Sequence, residues 1–376
     1  MRTGTNIYKR KDGRWEARYF KEYKLDGTIK YGSLYAPTYT EVKQKLEAFR
    51  KNPNNVKTNK NHILFSEVCN KWLAHIKIKV KSSTYAKYYF IVSRHIIPEI
   101  GTFKLFQINQ KIIREFIQQK SENGRISDQG NLSAKTVKDI FTIIKSILEF
   151  AKKEYGLTDF KLESNLSKTT QKRVEVLTKE EQTEFITYLI TSTNESKLGV
   201  LISLFTGIRI GELCALQWQD IDFHSGILKI RRTIQRILNP DQTNGKKTMV
   251  IIDTPKTQNS IRDIPLPDFL LTILKKQTKG KIANSYVISN DSSKYIEPRT
   301  MQNQFKRHLT QANIQDIHFH ALRHTFATNA IENGFDIKSL SEILGHSSVN
   351  ITLEKYVHSS MDQKRLQMQK LQVLLA

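Results

Sequence analysis

Six residues in the C-terminal half could together act on a phosphodiester: Arg209, Lys256, His320, Arg323, His346 and Tyr356, in that order along the chain. They sit in the strings TGIRIGEL, TPKTQNSIRDIPL, HFHALRHTFAT, EILGHSS and TLEKYVH. Arg323 carries a planar guanidinium suited to two phosphate oxygens, and His320, three residues earlier, falls on the same face of a helix. An imidazole titrates near neutrality and can accept or donate a proton. Tyr356 supplies a hydroxyl that is a poor nucleophile at neutral pH, its pKa being about 10, and cationic neighbours would favour the phenolate. Glu212, three residues after Arg209, can orient that guanidinium. Taken singly, each has a blander reading: a surface Arg–Glu pair, a structural histidine, a packed tyrosine. The ordered group is what points to chemistry on a phosphate. His318, His320, His324 and His346 do not make a metal site on spacing, since no cysteine or carboxylate joins them and nearby arginines repel a cation.

The elements that hold these residues can be read locally. Gly207 ends an apolar helix and lets the chain turn sharply into Arg209. Gly345 does the same ahead of His346. Thr178 and Glu181 form a capping box at a helix start. Between the two helical stretches lie strand segments at Ile227–Ile237, Met249–Asp253 and Ile261–Leu266. A turn-rich insertion at 239–247 separates two of them, and Lys256 falls on a turn between strands.

Upstream, residues 7–35 read as three strands turning at Asp12-Gly13 and Asp26-Gly27. Trp15, Ala17 and Tyr19 alternate with Arg14, Glu16 and Arg18, so one face is apolar and the other charged. A helix from about Thr40 presents Val42, Leu46 and Phe49 to that sheet. A β-sheet of this kind can lie in a DNA major groove. The blander reading is a small protein-interaction module. The Asn/Lys-rich stretch from Arg50 to His62 is a linker. Residues 63–160 are helical, with Phe65, Val68, Cys69 and Trp72 on one stripe and Ile140, Ile143, Ile144, Ile147 and Leu148 on another. Ser82, Ser83 and Thr84, and Ser133 further on, are expected N-caps. Lys79, Lys81, Ser82, Ser83 and Lys87 are candidates for phosphate contact. Tyr85, Tyr88 and Tyr89 fit core packing better than base stacking. A second linker lies near Ser164 to Arg173. The expected organisation is therefore 1–57, 63–160 and 174–376, mainly α with small β-sheets.

The 376 residues carry a net charge of +24, which calls for a polyanionic partner such as nucleic acid. The excess is spread along the chain: residues 1–57 hold 14 Lys/Arg against 6 Asp/Glu, and residues 62–160 hold 16 against 9. Cys69 and Cys214 make no disulfide framework. The opening MRTGTNIYKRKDGRW lacks an apolar core, and no apolar run is long enough for a bilayer. A cytoplasmic protein with no membrane partner is expected.

The six residues in their order resemble the tyrosine recombinase (phage integrase) family. The resemblance covers most of the chain, with 1–57 similar to an arm-type DNA-binding domain and 63–160 to a helical core-binding domain. It implies that Tyr356 attacks a scissile phosphate and forms a 3′-phosphotyrosyl link. It also implies that Arg209, Arg323 and His346 hold the non-bridging oxygens and that His320 handles the tyrosine proton. Lys256 would protonate the leaving 5′ oxygen, with Lys246 and Lys247 as fallbacks. No metal or other cofactor is implied. Double-stranded DNA, self-association to a tetramer on it, a directionality factor and a host DNA-bending protein are the implied partners. After Tyr356, Met361, Met368, Leu371 and Leu375 form an apolar stripe that docks on a neighbouring subunit or on its own domain. The alternatives are a type IB topoisomerase-like cycle of cleavage and religation, or a non-catalytic DNA-binding regulator.

Overall fold

The computed structural model describes residues 6–23, 29–51, 63–128, 130–156, 175–241, 245–255, 258–356 and 368–369. The chain divides into two compact units, residues 1–170 with 238–242, and residues 171–237 with 243–376. Both linkers expected from the sequence lie largely outside the described residues. So do Lys256 and, apart from Met368, the apolar stripe of the tail.

In the first unit, β1 (Ile7–Lys9), β2 (Trp15–Tyr23) and β3 (Ile29–Ala36) form an antiparallel sheet in that order. Helix α1 (Tyr39–Lys51) covers one face, burying Ala17, Ala36, Val42 and Leu46 with Trp15, Tyr19 and Leu34 around them. Phe49 packs on Tyr19 with ring centroids 4.1 Å apart and the planes tilted by 38°. The alternation expected for β2 is present, with one change. Glu16 on the charged face is buried, because Ser33 donates to it at 2.7 Å and Arg18 at 2.9 Å.

A second core in this unit is wholly helical. It draws on α2 (Phe65–Lys77), α3 (Ser82–Ile91), a π-turn at Val92–Ile96, α4 (Ile97–Ile100), α5 (Gln110–Asn123) and α6 (Ala134–Tyr155). The apolar stripes read from the sequence on α2 and α6 are buried. Ser133 caps α6, accepting from the Thr136 amide at 3.2 Å. Ser82 and Ser83 do not cap α3. The helix already begins at Ser82, and the residue at its N-cap, Lys81, makes no side-chain cap bond. Tyr85, Tyr88 and Tyr89 pack against the core, Tyr88 on Trp72 at 5.6 Å.

The second unit has the largest core. Its helices are α7 (Lys179–Thr191), α8 (Glu195–Thr206) and α9 (Ile210–Ala215), then α10 (Asp268–Gln277), α11 (Pro298–Gln311), α12 (His320–Glu332), α13 (Ile337–Leu344) and α14 (Val349–Tyr356). Between α9 and α10 run β4 (Ile221–Asp222), β5 (Ile227–Ile230), β6 (Thr233–Leu238), β7 (Thr248–Asp253) and β8 (Arg262–Pro265). Strands β4, β5 and β8 make one antiparallel sheet, β6 and β7 a separate pair. The single strand expected over Ile227–Ile237 is thus two, broken at Arg231-Arg232. Both guanidiniums there are taken up by carboxylates, Arg231 on Asp263 and Arg232 on Asp220. The capping box is formed: the Glu181 amide donates to Thr178, and the Thr178 amide donates to Glu181 at 2.8 Å. Apolar α8 is buried nearly all round and packs against α12, which seats the two segments carrying the arginines together.

Cys69 and Cys214 are unpaired and buried in different cores. Burial pushes the Cys69 thiol up to about 12. Among the described residues no helix is long and apolar enough to cross a membrane.

Candidate active site

Two glycines shape the site. Gly207 closes α8 with φ +63°, and a Cβ there would come within 2.6 Å of the Phe326 ring. Left-handed backbone and lack of space both demand glycine. The chain then turns so that Arg209 is the N-cap residue of α9. Gly345 ends α13 at φ +65°, its absent Cβ leaving room for the Arg262 side chain 3.1 Å away, and His346 follows.

Glu212, on the first turn of α9, is the hub. Its carboxylate accepts from the Arg209 amide at 2.9 Å and from the Arg209 guanidinium at 2.8 Å. It also accepts two bonds from Arg262, at 3.2 and 2.8 Å. Burial alone would raise this carboxyl. The bonds and charge of Arg262, with the charge of Arg209, overcome that and hold it below the usual carboxylate range.

Arg262 was not singled out from the sequence, although a signal existed. Along β8 it shares the inward face with Ile264, and an arginine at a core-facing strand position requires a buried acid.

Three guanidiniums converge on the end of α13. Arg262 donates to the Ile343 carbonyl at 2.5 Å, Arg323 to that of Leu344 at 2.6 Å, and Arg209 to that of Gly345 at 3.1 Å. The last carbonyls of a helix lack partners within it and carry partial negative charge. Arginines satisfy both needs. Arg323 is buried and also donates to Gly207 at 2.8 Å, tying the ends of α8 and α13 together. Of the five N–H donors on a guanidinium, Arg209 and Arg323 keep some beyond these bonds for a ligand, whereas Arg262 spends four within the protein. Burial and the charges of Arg209 and Arg262 lower the Arg323 pKa.

His346 is fixed by Thr352, a residue the sequence reading passed over, whose buried hydroxyl lies 2.8 Å from Nδ1. Burial, then Arg323 and Arg209, push this imidazole down to about 3, so it is neutral at pH 7. In the tautomer whose Nδ1 accepts from this hydroxyl, the proton sits on Nε2 and can be donated. The His346 ring lies parallel to that of Tyr356, centroids 6.4 Å apart.

Tyr356, the last residue of α14, is buried in a small cluster with Ala327, Ala330, Leu340 and Leu344. Its hydroxyl is 2.6 Å from Nδ1 of His324. His320, expected to handle the tyrosine proton, instead opens α12 at the solvent side and stands edge-on to His324 at 4.6 Å. Although the residue is exposed, partial desolvation of its ring and the charges of His324 and Arg323 lower the His320 pKa. The phenolate anticipated from cationic neighbours is not favoured: burial raises the Tyr356 pKa, and Arg323 and Arg209 only partly offset it. Arg209, Glu212, His320, Arg323, His346 and Tyr356 thus gather in one place, joined by Arg262, His324 and Thr352. Lys256 lies outside the described residues.

The residues singled out for DNA contact lie in the first unit, and four of them have side-chain partners there. Arg14 bonds Asp12 at 2.8 Å, Arg18 bonds Glu16 at 2.9 Å, Lys87 bonds Asp139 at 2.7 Å, and Lys79 lies 2.8 Å from His75. Arg10 and Arg14 also lie over the Tyr35 ring, and Arg18 over that of Tyr8.

Comparison with known proteins identifies the family. Residues 175–363 match the phage integrase family, and residues 64–121 match the phage integrase N-terminal SAM-like domain. The chain is similar to a tyrosine recombinase XerC-like protein of Caldanaerobacter subterraneus, 27% identical over 90% of each chain. It is also similar to the ICEBs1 integrase of Bacillus subtilis, 26% identical over 83% of this chain and 84% of that one. Among solved structures, the Tn1549 transposon integrase in complex with transposon right end DNA matches in fold with a TM-score of 0.65. It is 22% identical and covers 82% of this chain and 99% of its own. A lambda integrase tetramer bound to a Holliday junction gives 0.57, at 19% identity over 93% and 97%. The chain belongs to the phage integrase family of tyrosine recombinases.

Proposed function

We propose that this tyrosine recombinase integrates and excises a mobile element, exchanging DNA strands through a 3′-phosphotyrosyl link at Tyr356. The observation that carries the reading is the buried Tyr356 hydroxyl, bonded to an imidazole, beside Arg209, Arg323 and His346. A phosphate seated there meets guanidinium donors and a neutral His346 that offset the charge of a pentacoordinate transition state. Lys256, by its place in TPKTQNSIRDIPL, protonates the leaving 5′ oxygen. His320, at the mouth of the site, supports the phosphate. A 5′ hydroxyl from another duplex then attacks the phosphotyrosine, so each phosphodiester is exchanged rather than hydrolysed.

The test is to incubate the protein with nicked half-site DNA from its element's ends, in EDTA. A denaturing gel is expected to show a protein–DNA adduct, and mass spectrometry to map it to the peptide holding Tyr356. Absence of any adduct on authentic ends would favour a DNA-binding regulator.

The division into 1–57, 63–160 and 174–376 belongs to the same proposal, with residues 1–57 laying their basic sheet face on accessory DNA. Arg14 suits this role because its ion pair with Asp12 is exposed on both sides, and such pairs contribute at most about 1 kcal/mol and exchange readily for phosphates. Arg18 keeps an exposed guanidinium while bonding the buried Glu16. Lys79, Lys81, Ser82, Ser83 and Lys87 face phosphates beside the cut in this reading. Removing residues 1–57 is expected to weaken recombination at sites with accessory arms while core-site adduct formation keeps its rate. Loss of core cleavage too would refute the division. Two duplexes require four cut strands, hence a tetramer on DNA. Directionality and DNA-bending proteins complete the proposed assembly.

A further inference from the structure

We propose that His324 takes the hydroxyl proton of Tyr356 as the phenol attacks phosphorus. The proposal rests on the reading of Tyr356 as nucleophile. Among the described residues, the imidazole in contact with the phenolic oxygen is His324, with Nδ1 at 2.6 Å and ring centroids 5.5 Å apart. The other two imidazoles are otherwise placed: Nδ1 of His346 is engaged by Thr352, and His320 packs on His324. Hydrogen-bond reach to the proton being moved is the first requirement of a general base, and His324 meets it before any substrate arrives.

The Tyr356 O–H bond breaks and the proton passes to Nδ1, giving an imidazolium. The oxygen lone pair forms the new P–O bond, the bond from phosphorus to the 5′ oxygen breaks, and that oxygen takes a proton from Lys256. On religation a 5′ hydroxyl attacks phosphorus and gives its proton to the now neutral Lys256 amine. The bond from phosphorus to the tyrosine oxygen breaks, and that oxygen leaves with the proton returned by His324.

Among the described residues, the charged and titratable groups facing His324 are Lys355 and Tyr356 on α14, with Arg323 and His320 on its own helix. Burial, then Lys355 and Arg323, push it down to about 4 in the DNA-free protein. It is therefore unprotonated at neutral pH and ready to accept. A phosphodiester anion bound at Arg323 opposes the cationic field and raises the basicity of the imidazole. The base strengthens when the substrate arrives.

The test measures single-turnover adduct formation on nicked half-site DNA for the wild type, His324→Ala, His324→Asn and Tyr356→Phe, from pH 6 to pH 9. Mobility shift and thermal melting report DNA binding and fold. Asparagine places an oxygen near the Nδ1 position but cannot carry the proton. Both His324 variants are expected to bind DNA as the wild type does and to form adduct about 10²–10⁴-fold more slowly. Their rates should rise about tenfold per pH unit, as for a phenol that must ionise into solvent. The wild type should be nearly flat over that range.

An asparagine variant as fast as the wild type would overturn proton transfer, even with the alanine variant slow. So would two slow variants that keep the wild-type pH profile, which would mark a structural role. Should His324→Ala melt early, His324→Asn carries the same test. Adduct persisting in Tyr356→Phe would refute the nucleophile assignment instead.

Discussion

Tyr356→Phe is expected to bind half-site DNA with the affinity of the wild type and to form no detectable covalent adduct. Deleting a covalent nucleophile lowers turnover by on the order of 10⁶-fold, and this substitution removes one oxygen. The ring keeps its place in the cluster with Ala327, Ala330, Leu340 and Leu344, and its parallel packing on His346. What is lost is the bond to His324, worth about 1 kcal/mol for a neutral pair, together with the hydroxyl's interaction with Arg323. His324 Nδ1 then needs water. The fold should hold, so a missing adduct would report chemistry rather than unfolding. The check is a denaturing gel beside a mobility-shift assay on the same DNA. An adduct of wild-type intensity would mean that another hydroxyl attacks.

Glu212→Ala should be the most destabilising single change near the site. It leaves Arg262, whose side chain is 6% exposed, without its carboxylate, and Arg209 without its tether. Removing one partner of a buried ion pair costs about 3–5 kcal/mol. At 2–4 °C per kcal/mol for a domain of this size, the melting temperature falls roughly 6–20 °C. Scanning calorimetry measures this directly. The sign with pH is also determined. The folded Glu212 carboxyl lies below its ordinary 4.5, so the pair contributes fully above that value and is lost as pH falls through the lower folded one. Wild type and variant should therefore converge in stability under acid. A gap that persisted at low pH would place the effect in packing rather than charge.

The parts of this protein that sequence foretold depend on short-range physics. The Thr178–Glu181 box, the Gly207 turn before Arg209, and the alternation of Trp15, Ala17 and Tyr19 each involve a few neighbouring residues, and each was formed. The order of the six site residues was readable too, because each lies in a distinctive string. What escaped depends on chain returning from far away. His324 meets Tyr356 across 32 positions and Arg262 meets Glu212 across 50. Nothing local marks either partner beyond an arginine on an inward strand position. Thr352 escaped for the opposite reason: a threonine on a short helix is ordinary until His346 is seen beside it. The anticipated phenolate failed because charge is visible in a sequence whereas burial is not, and burial wins at Tyr356. Ser82 failed as a cap because α3 starts one residue earlier than its Ser-Ser-Thr run implies.

The three arginines that hold the carbonyls of Ile343, Leu344 and Gly345 also determine how the enzyme fails. The end of α13 cannot fray without detaching Arg209 and Arg323, and neither arginine can swing away without exposing bare carbonyls inside the protein. Parts of a protein that open together lose structure together. No half-assembled enzyme, with an attacking group but no phosphate cradle, should then accumulate on warming. For a recombinase that breaks and rejoins DNA strands, a damaged molecule then becomes inert instead of nicking DNA it cannot reseal.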